Sequence, residues 1–97
     1  MAITVEYVFV RPSADVSWPD FTASQEAEIQ ALRESHNISS TDTYSENGLM
    51  WKRIQTAESQ AVYDPFYAAA KPVWDAAQIV AKAEERGVTI SMNVENT

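Results

Sequence analysis

The dipeptide Asn47-Gly48, set between residues 39–46 and 49–56, constrains this chain more than any other feature. Asn-Gly is the strongest short-range signal for a two-residue hairpin loop, because both loop positions need a positive φ and these residues tolerate it. Such a loop sets a register in which Glu46 faces Leu49, Tyr44 faces Trp51 and Asp42 faces Arg53. One face of the hairpin then carries an aromatic pair beside an opposite-charge pair. The other carries Ser45 with Met50, Thr43 with Lys52 and Thr41 with Ile54. Each cross-strand pair is worth roughly 0.2–1 kcal/mol.

The rest of the chain supplies partners for that hairpin. In residues 3–10, Ile3, Val5, Tyr7 and Phe9 alternate with Thr4, Glu6, Val8 and Val10, so both faces are largely apolar and the strand reads as interior. Residues 11–21 form a loop punctuated by Pro12 and Pro19, with Trp18 expected to lid the edge of the core. Residues 22–36 read as a helix. Thr22 and Gln25 have capping-box spacing, Arg33 and His36 suit the negative end of the helix dipole, and Asn37 can take a left-handed stop. Ile29, Leu32 and His36 share its apolar face.

A second helical region spans residues 59–86, with Asp64-Pro65 expected as its N-cap and first helical residue. Phe66, Ala70, Val73, Ala77 and Val80 make an apolar stripe, and Pro72 is expected to kink the helix or divide it. Gly87 follows as a C-cap glycine. In residues 88–94, Val88, Ile90, Met92 and Val94 alternate with polar residues as a strand, and the polar tail 95–97 is expected to fray.

The order βαββαβ resembles the ferredoxin-like arrangement: an α+β fold with a four-stranded antiparallel sheet and two helices on one face. The whole chain, residues 1–97, is expected to form one domain with strand order 4-1-3-2. The helix-facing core should collect Val5, Tyr7, Phe9, Met50, Ile54, Ile90 and Met92 from the strands. Ile29, Leu32, Val73, Ala77 and Val80 should meet them from the helices. On that assignment the open face shows Thr4, Glu6, Val8, Val10, Tyr44, Trp51, Asp42, Arg53, Thr89 and Ser91. An inverted hairpin, with Trp51 inward, satisfies the alternation equally well, because a shift of one residue exchanges the faces.

Charge and motifs narrow the function. Seven basic and fourteen acidic side chains leave a net charge of −7, concentrated in residues 1–50, which repels a phosphate backbone and disfavours nucleic acid as a partner. With no cysteine and one histidine, neither a thiol nucleophile nor a conventional zinc site is expected. Only two glycines are present, so there is no glycine-rich phosphate loop, and no cofactor is expected. No run approaches a membrane span, and the N-terminus lacks the basic start of a signal peptide. The expected setting is soluble and cytoplasmic, or the host cytoplasm if the protein is viral.

Three functional expectations follow. The first is a small non-enzymatic interaction module that self-associates, as a homo-oligomer and most simply a dimer, through its open sheet face or an edge. Tyr44, Trp51, Asp42, Arg53 and Val8 are its candidate contacts, since aromatic and Arg side chains are enriched at interfaces. The second is a dimeric α+β-barrel type of enzyme or small-ligand binder, with Trp18, His36, Tyr67 and Trp74 as candidate pocket residues and Tyr7 or Trp51 near its mouth. The third is an accessory or structural protein of a virus or phage.

Overall fold

In the computed structural model residues 2–96 are described. Met1 and Thr97, the outer ends of the terminal readings above, lie outside the described residues. The elements are β1 (Ile3–Val10), α1 (Ala23–Ser35), β2 (Ser39–Tyr44), β3 (Met50–Ala57), α2 (Gln60–Ala76), α3 (Ile79–Arg86) and β4 (Thr89–Asn96). They form one antiparallel sheet in the order β2-β3-β1-β4, which is the expected 4-1-3-2 read from the other edge. The fold is ferredoxin-like, with the second helical segment divided into α2 and α3.

The hairpin keeps its expected register, with Tyr44 opposite Trp51 and Asp42 opposite Arg53. Its turn is different. Gly48 N–H donates to the Ser45 carbonyl at 3.0 Å, so Glu46 and Asn47 are the central turn residues. Within the turn, Gly48 alone has positive φ, at 72°. Ser45 N–H still bonds Met50 O at 3.0 Å, so the loop spans residues 46–49. A four-residue loop centred on the same point adds one residue to each side, which is why the facing pairs survive. Asn47 Oδ1 accepts from Ser45 Oγ at 2.7 Å and Leu49 N–H at 3.0 Å, a side-chain substitute for a backbone turn. Arg11 fastens this turn to the first loop through Nε to Gly48 O and Nη1 to Val16 O, both 2.8 Å.

In α1 the Thr22–Gln25 capping box is present in both directions, at 2.9 and 3.3 Å. Asn37 stops the helix at φ 58°, and Ile38 N–H returns to Arg33 O at 2.8 Å, folding Ile38 into the core. The second helix departs from expectation at its start. Ser59, not Asp64, is the N-cap, its Oγ accepting from Val62 N–H at 3.3 Å. Pro65 and Pro72 both lie inside α2, and neither ends it. Each proline removes one backbone bond, and the carbonyls released belong to Ala61 and Ala68, which are exposed and can bond water. The division comes later, where Gln78 takes φ 55°. That break resets the apolar stripe: Val73 and Ala77 are buried, but Ile79 and Ala83 then replace Val80, which is 52% exposed. Gly87 caps α3 at φ 71°. β4 extends to Asn96, its terminal described residues pairing with β1 where a polar tail was expected to leave the sheet.

The β1–β3 register decides which face of the hairpin is inside. Phe9 pairs with Trp51, Tyr7 with Arg53, Val5 with Gln55 and Ile3 with Ala57. Paired residues point the same way, so Trp51, Arg53 and Gln55 join Ile3, Val5 and Phe9 on the helix side. Trp51 is 4% exposed. This is the inverted hairpin, and it corrects the preferred assignment. Met50 and Ile54 leave the core for the open face, and Trp51, Asp42, Arg53 and Tyr44 leave the open face. Met92 faces the helix side as expected but is 54% exposed, because β4 is an edge strand and α3 covers only its beginning.

Candidate functional site

The same register builds a site. Three alternate residues of β3, Trp51, Arg53 and Gln55, present an aromatic, a cation and an amide to the space beneath the helices. Tyr7 and Phe9 extend this floor on β1. From above, α1 contributes Ile29 and Arg33, and α2 contributes Tyr63, Phe66, Tyr67, Lys71 and Trp74. Phe21 and Pro19 close one side from the first loop. The cavity between them measures about 170 Å³.

Its walls are a connected aromatic set. Trp74 stands 5.9 Å from Tyr7, 6.4 Å from Phe9 and 6.1 Å from Phe21, measured between ring centroids. Phe9 meets Trp51 edge-on at 4.5 Å, and Trp51 stacks on Tyr44 at 6.2 Å. Trp18 covers Trp51 from outside the cavity at 5.8 Å, with the Arg11 guanidinium 4.5 Å above its ring. Trp18 thus lids the core edge, as its loop position suggested.

The polar groups form a charged corner under α1. Arg53 holds Asp42 by two hydrogen bonds, Nε to Oδ1 at 2.9 Å and Nη2 to Oδ2 at 3.1 Å. Burial alone would raise the Asp42 carboxyl, but the hydrogen bonds and charge of Arg53 outweigh it and hold the group below its ordinary value. Asp20 goes the other way, raised by burial and only partly offset by Arg53. Glu26 Oε1 lies 3.6 Å from Arg33 Nη1 and 3.7 Å from Arg53 Nη2, so one carboxylate oxygen serves both cations. Arg33 is 5% exposed. Burial, then the Arg53 charge, pulls its guanidinium below the usual arginine range. Its Nη1 also donates to Gln30 Oε1 at 2.9 Å, but its Nε and Nη2 have no hydrogen-bond partner among the described residues. Trp51 Nε1 is buried too, on the side of the Asp42 carboxylate, which it helps Arg53 to hold down.

On the opposite wall Tyr63 is a fixed, protonated phenol. Burial raises it well above its ordinary value, and its hydrogen bond to Tyr7 raises it further. Tyr7 is raised by burial and lowered in part by the same bond.

The expected site residues are scattered, with Trp18 covering Trp51 from outside the cavity. Tyr67 and Trp74, from the expected pocket set, line the cavity, and Trp51 and Arg53 join them there from the interface set. Asp42 and Tyr44 sit beside it, holding Arg53 and stacking on Trp51. Val8 is on the open face, so the five proposed contact residues do not share a surface. His36 caps α1 and packs on Phe66 at 6.2 Å, outside the cavity lining. Arg33 and Gln55 were not anticipated. Arg33 falls four residues after Ile29 on the apolar face of α1, and Gln55 alternates with Trp51 and Arg53. Both spacings are in the sequence, but a cation in a last helical turn reads first as a dipole partner. Among the described residues no three His, Asp or Glu side chains cluster as a metal site requires, and no helix is long and apolar enough to cross a membrane.

No protein-family profile matches the chain, and no curated protein matches it. Among solved structures it is similar to Rv0793 from Mycobacterium tuberculosis, with a TM-score of 0.53 at 13% identity over 100% of this chain and 95% of that one. It superposes more loosely on the de novo designed protein Foldit4, with a TM-score of 0.48 and 4% identity over 100% and 99% of the two chains. A de novo designed protein with ferredoxin fold gives 0.39 and 12% over 100% and 87%. At 13% identity the likeness to Rv0793 concerns the fold alone.

Proposed function

We propose that this chain is a small-molecule-binding domain whose ligand sits between the sheet and α1–α2. The observation that carries the reading is the pairing of aromatic walls with two buried hydrogen-bond donors of Arg33, Nε and Nη2, that have no partner among the described residues. A buried donor left unpaired costs about 1–3 kcal/mol, and a packing layer that served stability alone would not need it. Binding sites combine these features, mostly apolar surface with a few placed polar groups. A cavity of about 170 Å³ is close to the ~150 Å³ that admits benzene, so the ligand is of single-ring size. The test is a ¹⁵N-NMR titration with a library of single-ring compounds, alongside native mass spectrometry of gently purified protein. Shifts clustered at Tyr7, Arg33, Trp51 and Trp74, or a retained small molecule, support the reading. A library that moves no cavity resonance overturns it.

A second reading, self-association through the open sheet face, is favoured by a separate observation. Val8, Val10, Met50 and Ile54 lie on the side of the sheet that no helix covers. Glu6 and Lys52 flank them, and neither forms an ion pair within the chain among the described residues. An acid and a base on one face can satisfy each other across a twofold axis, where the same patch meets itself. Sedimentation equilibrium tests this: a dimer weakened by Lys52→Glu supports it, and a monomer at high micromolar concentration overturns it.

A further inference from the structure

Arg33 carries two buried N–H donors, Nε and Nη2, that have no partner among the described residues. The molecule that completes them must bring acceptors. Nε and Nη2 are, moreover, the two nitrogens of one edge of the guanidinium, the edge that meets both oxygens of a carboxylate at once. The protein uses that edge once already, where Arg53 Nε and Nη2 take Asp42 at 2.9 and 3.1 Å. Arg33 is a second such fork in the same corner, and the one carboxylate in ion-pair contact with it among the described residues, Glu26, lies 3.6 Å from Nη1 while also serving Arg53.

Building on the small-molecule reading above, we propose that the ligand is a single-ring aromatic carboxylate. Its carboxylate takes the Nε–Nη2 edge of Arg33, and its ring lies against Tyr7, Phe9 and Trp74. Because the Arg33 edge is sealed from solvent in the free protein, engagement includes a rotation of that side chain toward the cavity it lines. Burial and the neighbouring Arg53 cation disfavour the charged Arg33 more than Glu26 and Asp42 favour it, and a further anion offsets that imbalance. The net charge of −7 opposes an anion at long range, but that field is screened beyond about 8 Å at physiological salt, whereas the fork acts at contact.

The experiment compares benzoate, benzamide and toluene by calorimetry and NMR on the wild-type chain, then on Arg33→Met and Arg33→Lys. Benzoate should bind at least about tenfold more tightly than benzamide, as charge-assisted hydrogen bonds are roughly twice as strong as neutral ones. Arg33→Met should lose that preference while toluene binding is kept. Arg33→Lys, which keeps the charge but not the fork, should recover only part of it. Toluene or benzamide binding in the cavity as tightly as benzoate would sink the carboxylate assignment and leave the small-molecule reading standing. If none of the three perturbs cavity resonances, the carboxylate assignment falls, and the wider library then decides the broader reading. The wild-type comparison stands even if a variant fails to fold.

Discussion

Arg53 and Asp42 face each other across the β2–β3 hairpin on the side of the sheet that the helices cover, joined by two hydrogen bonds of 2.9 and 3.1 Å. The Arg53 side chain is only 12% exposed, so this is an ion pair at the edge of the core. Asp42 has a folded pKa held below its ordinary value. Its contribution to stability is therefore fully present above the unfolded value, near 3.9, and is lost as pH falls through the lower folded value. Wild-type urea midpoints should fall below about pH 4. In Asp42→Asn the midpoint at neutral pH should be lower and the acid loss flatter. An unchanged acid slope would mean that the pair is not coupled to folding. The raised Asp20 works in the opposite sense, its protonation in acid favouring the fold, so Asp20→Asn should steepen the net acid loss.

The two members of the stacked aromatic pair should respond differently to the same change. Trp51 is 4% exposed and Tyr44 is 61% exposed. Trp51→Glu removes a packed indole and buries a carboxylate, a loss of more than about 4 kcal/mol that should unfold the domain. Tyr44→Glu should cost within about 1 kcal/mol and leave the circular dichroism spectrum intact. Equal effects would contradict the observed sheet register.

Gly87 caps α3 with φ 71°, and a Cβ there would meet Pro12 Cγ at an ordinary 3.6 Å. The penalty for a side chain is thus in the backbone and not in packing. Gly87→Ala should destabilise by about 1 kcal/mol, and Gly87→Asn by less, because Asn tolerates the left-handed region. For a domain of this size about 1 kcal/mol lowers Tm by roughly 4–8 °C, which a melting curve resolves.

Pro72 occupies an exposed position inside α2 and leaves the Ala68 carbonyl without its helical donor. Pro72→Ala restores that bond and a better helix former, against a gain in unfolded-state freedom. The expected balance is a stabilisation of about 1 kcal/mol, read from the urea midpoint. A destabilised variant would show that the proline's own ring packing outweighs the missing bond.

The hairpin register, the Thr22–Gln25 cap, the Asn37 and Gly87 stops and the six-element order were legible because each depends on residues close in sequence. Local chemistry also misled in places. Asp64-Pro65 has the form of a helix start, yet Ser59 caps a longer helix whose exposed face accommodates both prolines. Asn47-Gly48 has the form of a two-residue loop, yet Ser45 and the Asn47 side chain make a wider turn on the same centre. Of the cavity, Tyr67 and Trp74 could be suggested by their shared helix side, but Arg33 and Gln55 could not, since their significance depends on what the sheet places opposite them.

The sequence by itself determined that Tyr44 meets Trp51 and that Asp42 meets Arg53, because a short hairpin leaves those residues no other partners. It did not determine which way they face. Alternation of period two is satisfied by either orientation of β3, with Met50 and Ile54 inward or with Trp51, Arg53 and Gln55 inward. That choice was made by pairing across a long crossover, Phe9 with Trp51 and Tyr7 with Arg53. Tertiary pairing thereby turned a pattern that reads as an exposed contact surface into the floor of a buried, donor-lined cavity.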